Sequence, residues 1–251
     1  MTTTALPANP IAAFFDIDGT LMPEPSLEQR LFSALRRSGS IPARNYLAWL
    51  TEAIRLMPQG IAAMRNANKG YLRGVSADRV FELMGTISFY EEAVEQIAWH
   101  VRHDHTVVLL SGTLEVLAQI AATALECELE ALGLQTSVLI RATRPVEVRG
   151  RWTGRVADQA MQGEEKSRVI KQFLQKKRVD SAQCYAYGNS LMDRAMFAAV
   201  GRPRVVNPGR DLAALANRRD WPIWHWQRQK TMISPGFSRV ETKIQRTESH
   251  A

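Results

Sequence analysis

The sequence predicts an α/β fold, a Rossmann-like three-layer parallel sheet core with an inserted helical cap, and three observations carry that prediction. Short continuous apolar runs recur at residues 11–15, 107–110 and 184–187, the pattern of strands buried on both faces. Segments of helical periodicity separate the later runs, as the crossovers of a parallel sheet require. Between the first two runs lies a long stretch, residues 23–90, whose apolar residues recur at helical spacing.

In chain order, residues 11–15 read as the first strand, ended by Gly19 and Thr20. The inserted stretch contains Leu27, Leu31 and Leu35, then Tyr46, Leu47, Leu50 and Ile54, then Val80, Leu83 and Met84, which predict three helices. Residues 91–102 read as a helix leading into the 107–110 strand, and residues 114–125 as the helix after it. A strand at 138–140 and a small hairpin, 146–148 with 152–156 around Arg149-Gly150-Arg151, come next. The helix over about 165–177 has Val169, Ile170, Phe173 and Leu174 on one face. Strands at 184–187 and 204–206 follow, the second stopped by Asn207-Pro208-Gly209, and Trp221, Trp224 and Trp226 mark a last strand. Residues 228–251 are polar and basic without periodicity, and are expected to form a flexible tail. The expected organisation is a discontinuous core of residues 1–22 and 91–227, a helical cap over 23–90, and the basic tail.

The chemistry concentrates in FFDIDGTL, residues 14–21, where Asp16 and Asp18 sit at the carboxyl end of a buried strand. Ligand crevices of open α/β sheets form at that end. A calcium loop would need a third acidic position and a distal Glu, both lacking here. The second strand ends in Ser111-Gly112-Thr113. Lys166 opens a later helix, and Tyr187-Gly188-Asn189-Ser190 with Asp193 follows a third strand. Taken singly, Ser111 reads as a cap and Lys166 as a solvated helix residue.

In series and in this order, the four segments resemble motifs I to IV of the haloacid dehalogenase-like (HAD) hydrolases. The insertion after the first is similar to the C1 cap of their subfamily IB, the phosphoserine phosphatase-like branch. The resemblance implies a Mg²⁺-dependent phosphomonoesterase. Asp16 would attack phosphorus to give an aspartyl-phosphate, and Asp18 would serve as general acid and base. Ser111 and Gly112 would hold the phosphoryl oxygens, and Lys166 would neutralise both nucleophile and phosphate. Asp16, Asp18, Asn189 and Asp193 would form the metal site. These residue types suit phosphoryl transfer, which rests on positioning and on compensating negative charge.

Two positions depart from the family pattern. Asn189 stands where the first motif IV Asp is usual, so the cation site has one negative charge fewer and weaker metal binding is expected. Phosphoserine phosphatases hold the substrate amino group with a Glu nine residues after the nucleophile; here that position is Pro25, with Glu24 one residue early. A small phosphorylated metabolite is therefore expected as substrate, with its identity open. The alternative is a catalytically weakened relative that binds phosphorylated ligands. Arg44, Arg55, Arg65, Lys69 and Arg73 are the basic residues of the insertion available for substrate contacts.

The 251 residues carry a net charge of +7 and are 45% hydrophobic, which excludes disorder of the whole chain. The positive charge suits phosphorylated substrates, and no aromatic-and-basic motif or zinc spacing supports nucleic acid binding. A peripheral contact of the basic tail with an anionic membrane stays open. Cys127 and Cys184 lack C-x-x-C spacing and a disulfide framework. Residues 1–10 lack a basic start and an apolar run, and the apolar stretch around 106–125 is interrupted by Ser111, Glu115 and Gln119, so neither export nor a membrane span is expected. A cytoplasmic protein is the default reading, with the oligomeric state open.

Overall fold

The computed structural model describes residues 10–59 and 69–233. Its regular elements begin with β1 (Ala12–Phe15), α1 (Leu27–Arg37), α2 (Ala43–Leu56) and α3 (Ala77–Leu83), then β2 (Thr86–Tyr90) and α4 (Glu91–Arg102). They continue with β3 (Thr106–Leu114), α5 (Glu115–Ala131), β4 (Leu139–Thr143), β5 (Pro145–Val148), β6 (Arg151–Val156) and α6 (Glu164–Lys177). The last are β7 (Tyr185–Gly188), α7 (Arg194–Phe197), β8 (Arg202–Val206), α8 (Arg210–Arg218), β9 (Ile223–Trp224) and β10 (Gln229–Ile233).

A six-stranded sheet runs in the order β4-β3-β1-β7-β8-β9, with every pairing parallel. β1 lies in its interior because all four of its side chains are apolar and buried, so either face can be covered by helices. Ala13 and Phe15 point into an apolar cluster shared with the inserted helices, α4 and α5. Ala12 and Phe14 point into a second cluster with α6, α7 and α8. Helices on both faces give the expected three layers, an α/β fold.

Near the sheet centre the packing is aromatic. Phe15 stacks on Tyr187 with centroids 4.2 Å apart and planes 4° from parallel, and the fully buried His100 meets Phe15 edge-on at 5.7 Å. His100 Nε2 lies 2.9 Å from the Tyr187 hydroxyl and its Nδ1 lies 2.8 Å from His105 Nδ1. Gln96 Nε2 also donates to the Tyr187 hydroxyl.

Among the described residues of the insertion, each of the three apolar stretches forms a helix, and their burial divides them. Leu27, Leu31 and Leu35 of α1 are fully buried, whereas Leu47, Leu50 and Ile54 of α2 are exposed. Its last residues form a strand: β2 pairs antiparallel with β10, Ile87 opposite Met232. The β5–β6 hairpin joins this part through hydrogen bonds from Gly74 N to Trp152 O and from Trp152 N to Val75 O.

β10 shortens the expected tail, because ordered chain continues to residue 233 where a flexible segment is expected from 228. Residues 229–233 complete the edge of β2, with Ser88 and Thr231 hydroxyls 2.8 Å apart and Met232 buried. Arg228 pairs with Glu91, Glu92 and Glu95 at the start of α4. The rest of the tail, with Arg239, Lys243 and Arg246, lies outside the described residues. Cys127 and Cys184 are free thiols. Among the described residues no helix is long and apolar enough to cross a membrane.

Burial, reinforced by the nearby His105, His103 and Arg204, lowers the His100 pKa to about 3. The unfolded chain, with a His pKa near 6.5, binds this proton more readily, so the contribution of His100 to stability is lost as pH falls below about 6.5 toward 3. The stability drop between pH 7 and pH 5 should be smaller in His100→Gln by about 2 kcal/mol. Urea unfolding at both pH values measures it, and equal drops would exclude a neutral, buried His100.

Candidate active site

The sheet order brings the sequence-distant motifs together. β1 lies between β3 and β7, with Phe15 in register with Leu109 on one side and Tyr187 on the other. The residues just beyond these pairs, Asp16, Ser111 and Asn189, therefore meet at one carboxyl edge. The Asp16 amide donates to Tyr187 O at 2.9 Å, carrying the pairing one residue past the strand. The chain then turns tightly, with the amides of Thr20, Leu21 and Met22 all donating to Ile17 O. Gly19 has φ +78°, and a Cβ there would lie 2.0 Å from Asn189 Nδ2, so both conformation and space require glycine.

Lys166 occupies the centre of the site, 2% exposed. Its Nζ donates to Asp16 Oδ1 at 2.7 Å and to Asp193 Oδ1 at 2.6 Å. Burial alone would lower its pKa, but the fields of Asp16 and Asp193 and their hydrogen bonds outweigh it, and the pKa is raised above the ordinary lysine range. Burial raises Asp16 to about 6, with Lys166 opposing the shift and Asp193 adding to it. The other Asp16 oxygen, Oδ2, accepts from the Thr20 hydroxyl at 3.3 Å, and the same hydroxyl lies 3.3 Å from Asn189 Oδ1.

Asp193 is held through both of its carboxylate oxygens. Its Oδ1 accepts from Lys166, while Oδ2 accepts from the Asn189 amide at 3.2 Å, the Ser190 amide at 3.0 Å and the Ser190 hydroxyl at 2.9 Å. With both oxygens engaged and the residue 1% exposed, Asp193 anchors Lys166 and the turn after β7. Gly188 makes room for it, since a Cβ there would approach Asp193 Cβ to 2.7 Å.

Asp18 accepts a 2.7 Å hydrogen bond from the Leu27 amide at the start of α1, which ties the turn to the insertion. Burial raises its pKa to about 7, against the lowering effect of that bond. The buried Ser111 Oγ accepts from the Thr113 amide at 3.2 Å, and Gly112 O accepts from the Thr143 hydroxyl at 2.8 Å. β3 runs on through Ser111 to Leu114 with a register irregularity against β4, so Ser111 lies within the strand and not at its end.

All seven residues singled out from the sequence, Asp16, Asp18, Ser111, Gly112, Lys166, Asn189 and Asp193, line one cavity of about 910 Å³. Its far side is built by the insertion, including Phe32, Trp49, Leu50, Ile54 and Tyr71. Of the basic residues expected there, Lys69 reaches the cavity; Arg44, Arg55 and Arg73 are exposed outside its lining, and Arg65 lies outside the described residues. Lys69, 3% exposed, donates to both oxygens of Glu28 at 2.5 and 2.6 Å, and the Tyr71 hydroxyl donates to Glu28 Oε1 at 2.7 Å. Glu28 and Tyr71 carry no local motif, and Glu28 pairs with Lys69 and Tyr71 across more than forty residues. Thr20 had a visible signal, the residue after Asp18-Gly19. Among the described residues no group of three or more His, Cys, Asp or Glu gathers as a metal cage.

The family model described as haloacid dehalogenase-like hydrolase matches residues 13–198. An "Inhibition of morphological differentiation protein" of Streptomyces azureus is 29% identical over 90% of this chain and 83% of its own length. Phosphoserine phosphatase SerB1 of Mycobacterium tuberculosis is 27% identical over 84% of this chain and 70% of its own. Among solved structures, a Bordetella pertussis protein of unknown function superposes with a TM-score of 0.62 at 21% identity, covering 86% of this chain and 98% of that one. A phospho-aspartyl intermediate analogue of phosphoserine phosphatase superposes with a TM-score of 0.57 at 16% identity, covering 88% and 95%. These two likenesses are of fold.

Removing the ammonium between two buried carboxylates leaves both uncompensated. Lys166→Met should lower the unfolding free energy at pH 7 by about 3–5 kcal/mol, measured by urea denaturation. A loss below about 1 kcal/mol would show that the ion pairs at this site contribute no more than exposed ones.

Proposed function

The chain belongs to the haloacid dehalogenase-like hydrolases, and from that premise we propose that it is a phosphomonoesterase of the phosphoserine phosphatase-like type, with Asp16 as nucleophile. The observation that carries this reading is the placement of Asp16: a buried carboxylate at an interior strand end, compensated by a buried lysine and facing a cavity shared with Asp18 and Ser111.

In the reaction so read, an Asp16 oxygen attacks phosphorus while the bond to the ester oxygen breaks. Asp18 gives its proton to the departing oxygen, and a pKa raised to about 7 leaves it able to hold that proton near neutrality. Water then attacks the aspartyl-phosphate and passes a proton to Asp18, which releases inorganic phosphate and restores the Asp16 carboxylate. Lys166 offsets the repulsion between carboxylate and phosphate, and Asp193 holds Lys166 in place. Ser111 and the backbone around Gly112 receive the phosphoryl oxygens. Residues 23–90 act as the cap that covers the site and contacts the leaving group.

Mg²⁺ fits the donor set. Asp16 Oδ2 and Asn189 Oδ1 converge on one hydroxyl, both are hard oxygens, and no Cys or His lines the cavity. Asp16 and Asn189 would hold the ion together with the Asp18 backbone carbonyl that the family uses. When bound, the ion supplies positive charge against the phosphate oxygens. The amide at Asn189 favours a second reading, a weakened member that binds phosphorylated ligands without turnover.

Phosphate release from a panel of phosphomonoesters, with Mg²⁺ or with EDTA, should be metal-dependent and should vanish in Asp16→Asn. Turnover surviving in that variant would remove Asp16 as nucleophile. Ligand binding without phosphorylation of Asp16 would select the second reading. Asn189→Asp should lower the Mg²⁺ concentration for half-maximal rate, because a carboxylate attracts the ion more strongly than an amide. An unchanged titration would place residue 189 outside the metal's ligands.

A further inference from the structure

The cavity extends well beyond what a phosphoryl group fills. Its volume of about 910 Å³ lies near the upper end of ligand pockets. Away from Asp16 and Lys166 its wall is formed by Phe32, Trp49, Leu50, Ala53, Ile54 and Met57. Leu50, Ile54 and Met57 follow one another at helical spacing along α2 and the turn after it, and they are 54%, 59% and 63% exposed. Met192 lines the opposite side at 38%. Of the nine large hydrophobic side chains exposed among the described residues, four therefore border this one cavity. Apolar surface concentrated at a single opening marks a binding surface and not ordinary scatter.

Among the described residues that line the cavity, Lys69 is the one cation besides Lys166, and it is already paired. Lys69 and Tyr71 both donate to Glu28, so this cluster presents a neutralised pair to an incoming group. Ser26 and Gln29 are engaged with each other in the capping box of α1. Glu24, exposed at the rim, adds negative charge. An amino-acid leaving group needs a free cation for its carboxylate, and Lys69 would have to leave a buried ion pair to supply one.

We propose that the substrate is an amphiphilic phosphomonoester whose leaving group is an aliphatic chain, the phosphate seated at Asp16 and Lys166 and the chain laid along Leu50, Ile54 and Met57. This rests on the phosphatase reading and specifies its substrate class. The row from Leu50 to Met57 extends about 10 Å along the helix axis, which suits an extended chain; an aromatic ring would cover one turn of it. Each methylene that reaches the row leaves water for apolar surface.

The test is kcat/KM of the full-length protein with Mg²⁺ for the linear alkyl phosphates from ethyl to decyl, each below its micelle concentration. The expected result is a rise of about two- to four-fold per added methylene until the row is covered. Ile54→Asp, at an exposed position, should lower the decyl-to-ethyl ratio at least about ten-fold. Leu47→Asp, on the same helix but outside the cavity lining, should leave the ratio unchanged. A flat or falling profile with ethyl phosphate still hydrolysed would overturn the aliphatic assignment and leave the phosphatase reading standing. So would equal effects of the two α2 substitutions. Silence toward every chain length while another phosphomonoester is hydrolysed would overturn this inference alone, and silence toward the whole phosphomonoester panel would sink the phosphatase reading with it.

Discussion

The bridge from Lys166 to Asp16 and Asp193 is the constraint on which the site depends. Three charges are held almost out of water, an arrangement that costs several kcal/mol per ion unless each is paired and its remaining hydrogen-bonding capacity is filled. The protein fills it unevenly. Asp193 accepts four hydrogen bonds, whereas Asp16 Oδ2 accepts a long contact from the Thr20 hydroxyl. The same ammonium thus organises the turn after β7 and leaves an Asp16 oxygen available to the cavity. The parallel sheet makes this possible, because placing β1 between β3 and β7 is what brings residues 16, 111 and 189 to one edge.

Rigidity at that edge comes from below. Phe15, Tyr187 and His100 pack ring against ring directly under Asp16 and Gly188, and Tyr187 is pinned by Gln96 and His100 from α4. Close packing of this kind fixes the strand ends to within small tolerances. Glycines at 19 and 188 then let the Asn189 and Asp193 side chains approach the turns closely.

The insertion is built on a different balance. Its first helix is locked down by Leu27, Leu31 and Leu35 and by the Asp18–Leu27 hydrogen bond, so motif and insertion share a contact. Its second helix keeps Leu47, Leu50 and Ile54 in solvent. Glu28 of α1 joins Lys69 and Tyr71, which lie beyond the second helix, in a polar network. The wall of the cavity built by the insertion is therefore largely apolar, while the opposite wall carries Asp16, Lys166 and Asp193 joined by ion pairs.

The sequence alone determined the layered α/β core and the candidate residues. Short continuous apolar runs bounded by turn residues read as strands buried on both faces, and the carboxylates, hydroxyl and lysine that follow them come in a recognisable order. It also located the helices of the insertion, because 3.6-residue periodicity is a local property. Other features were decided by tertiary structure. Periodicity shows which helix face is apolar but not whether anything covers it, so the exposure of α2 was not legible. Residue type shows that Asp193 can accept a metal or a hydrogen bond, but only the fold delivers Lys166 and the Ser190 donors that occupy it. Five basic residues of the insertion were equivalent on paper, and a Glu more than forty residues away distinguishes Lys69 from Arg44, Arg55 and Arg73. Residues 229–233 carry no compelling strand signal, and an open edge at β2 makes them one.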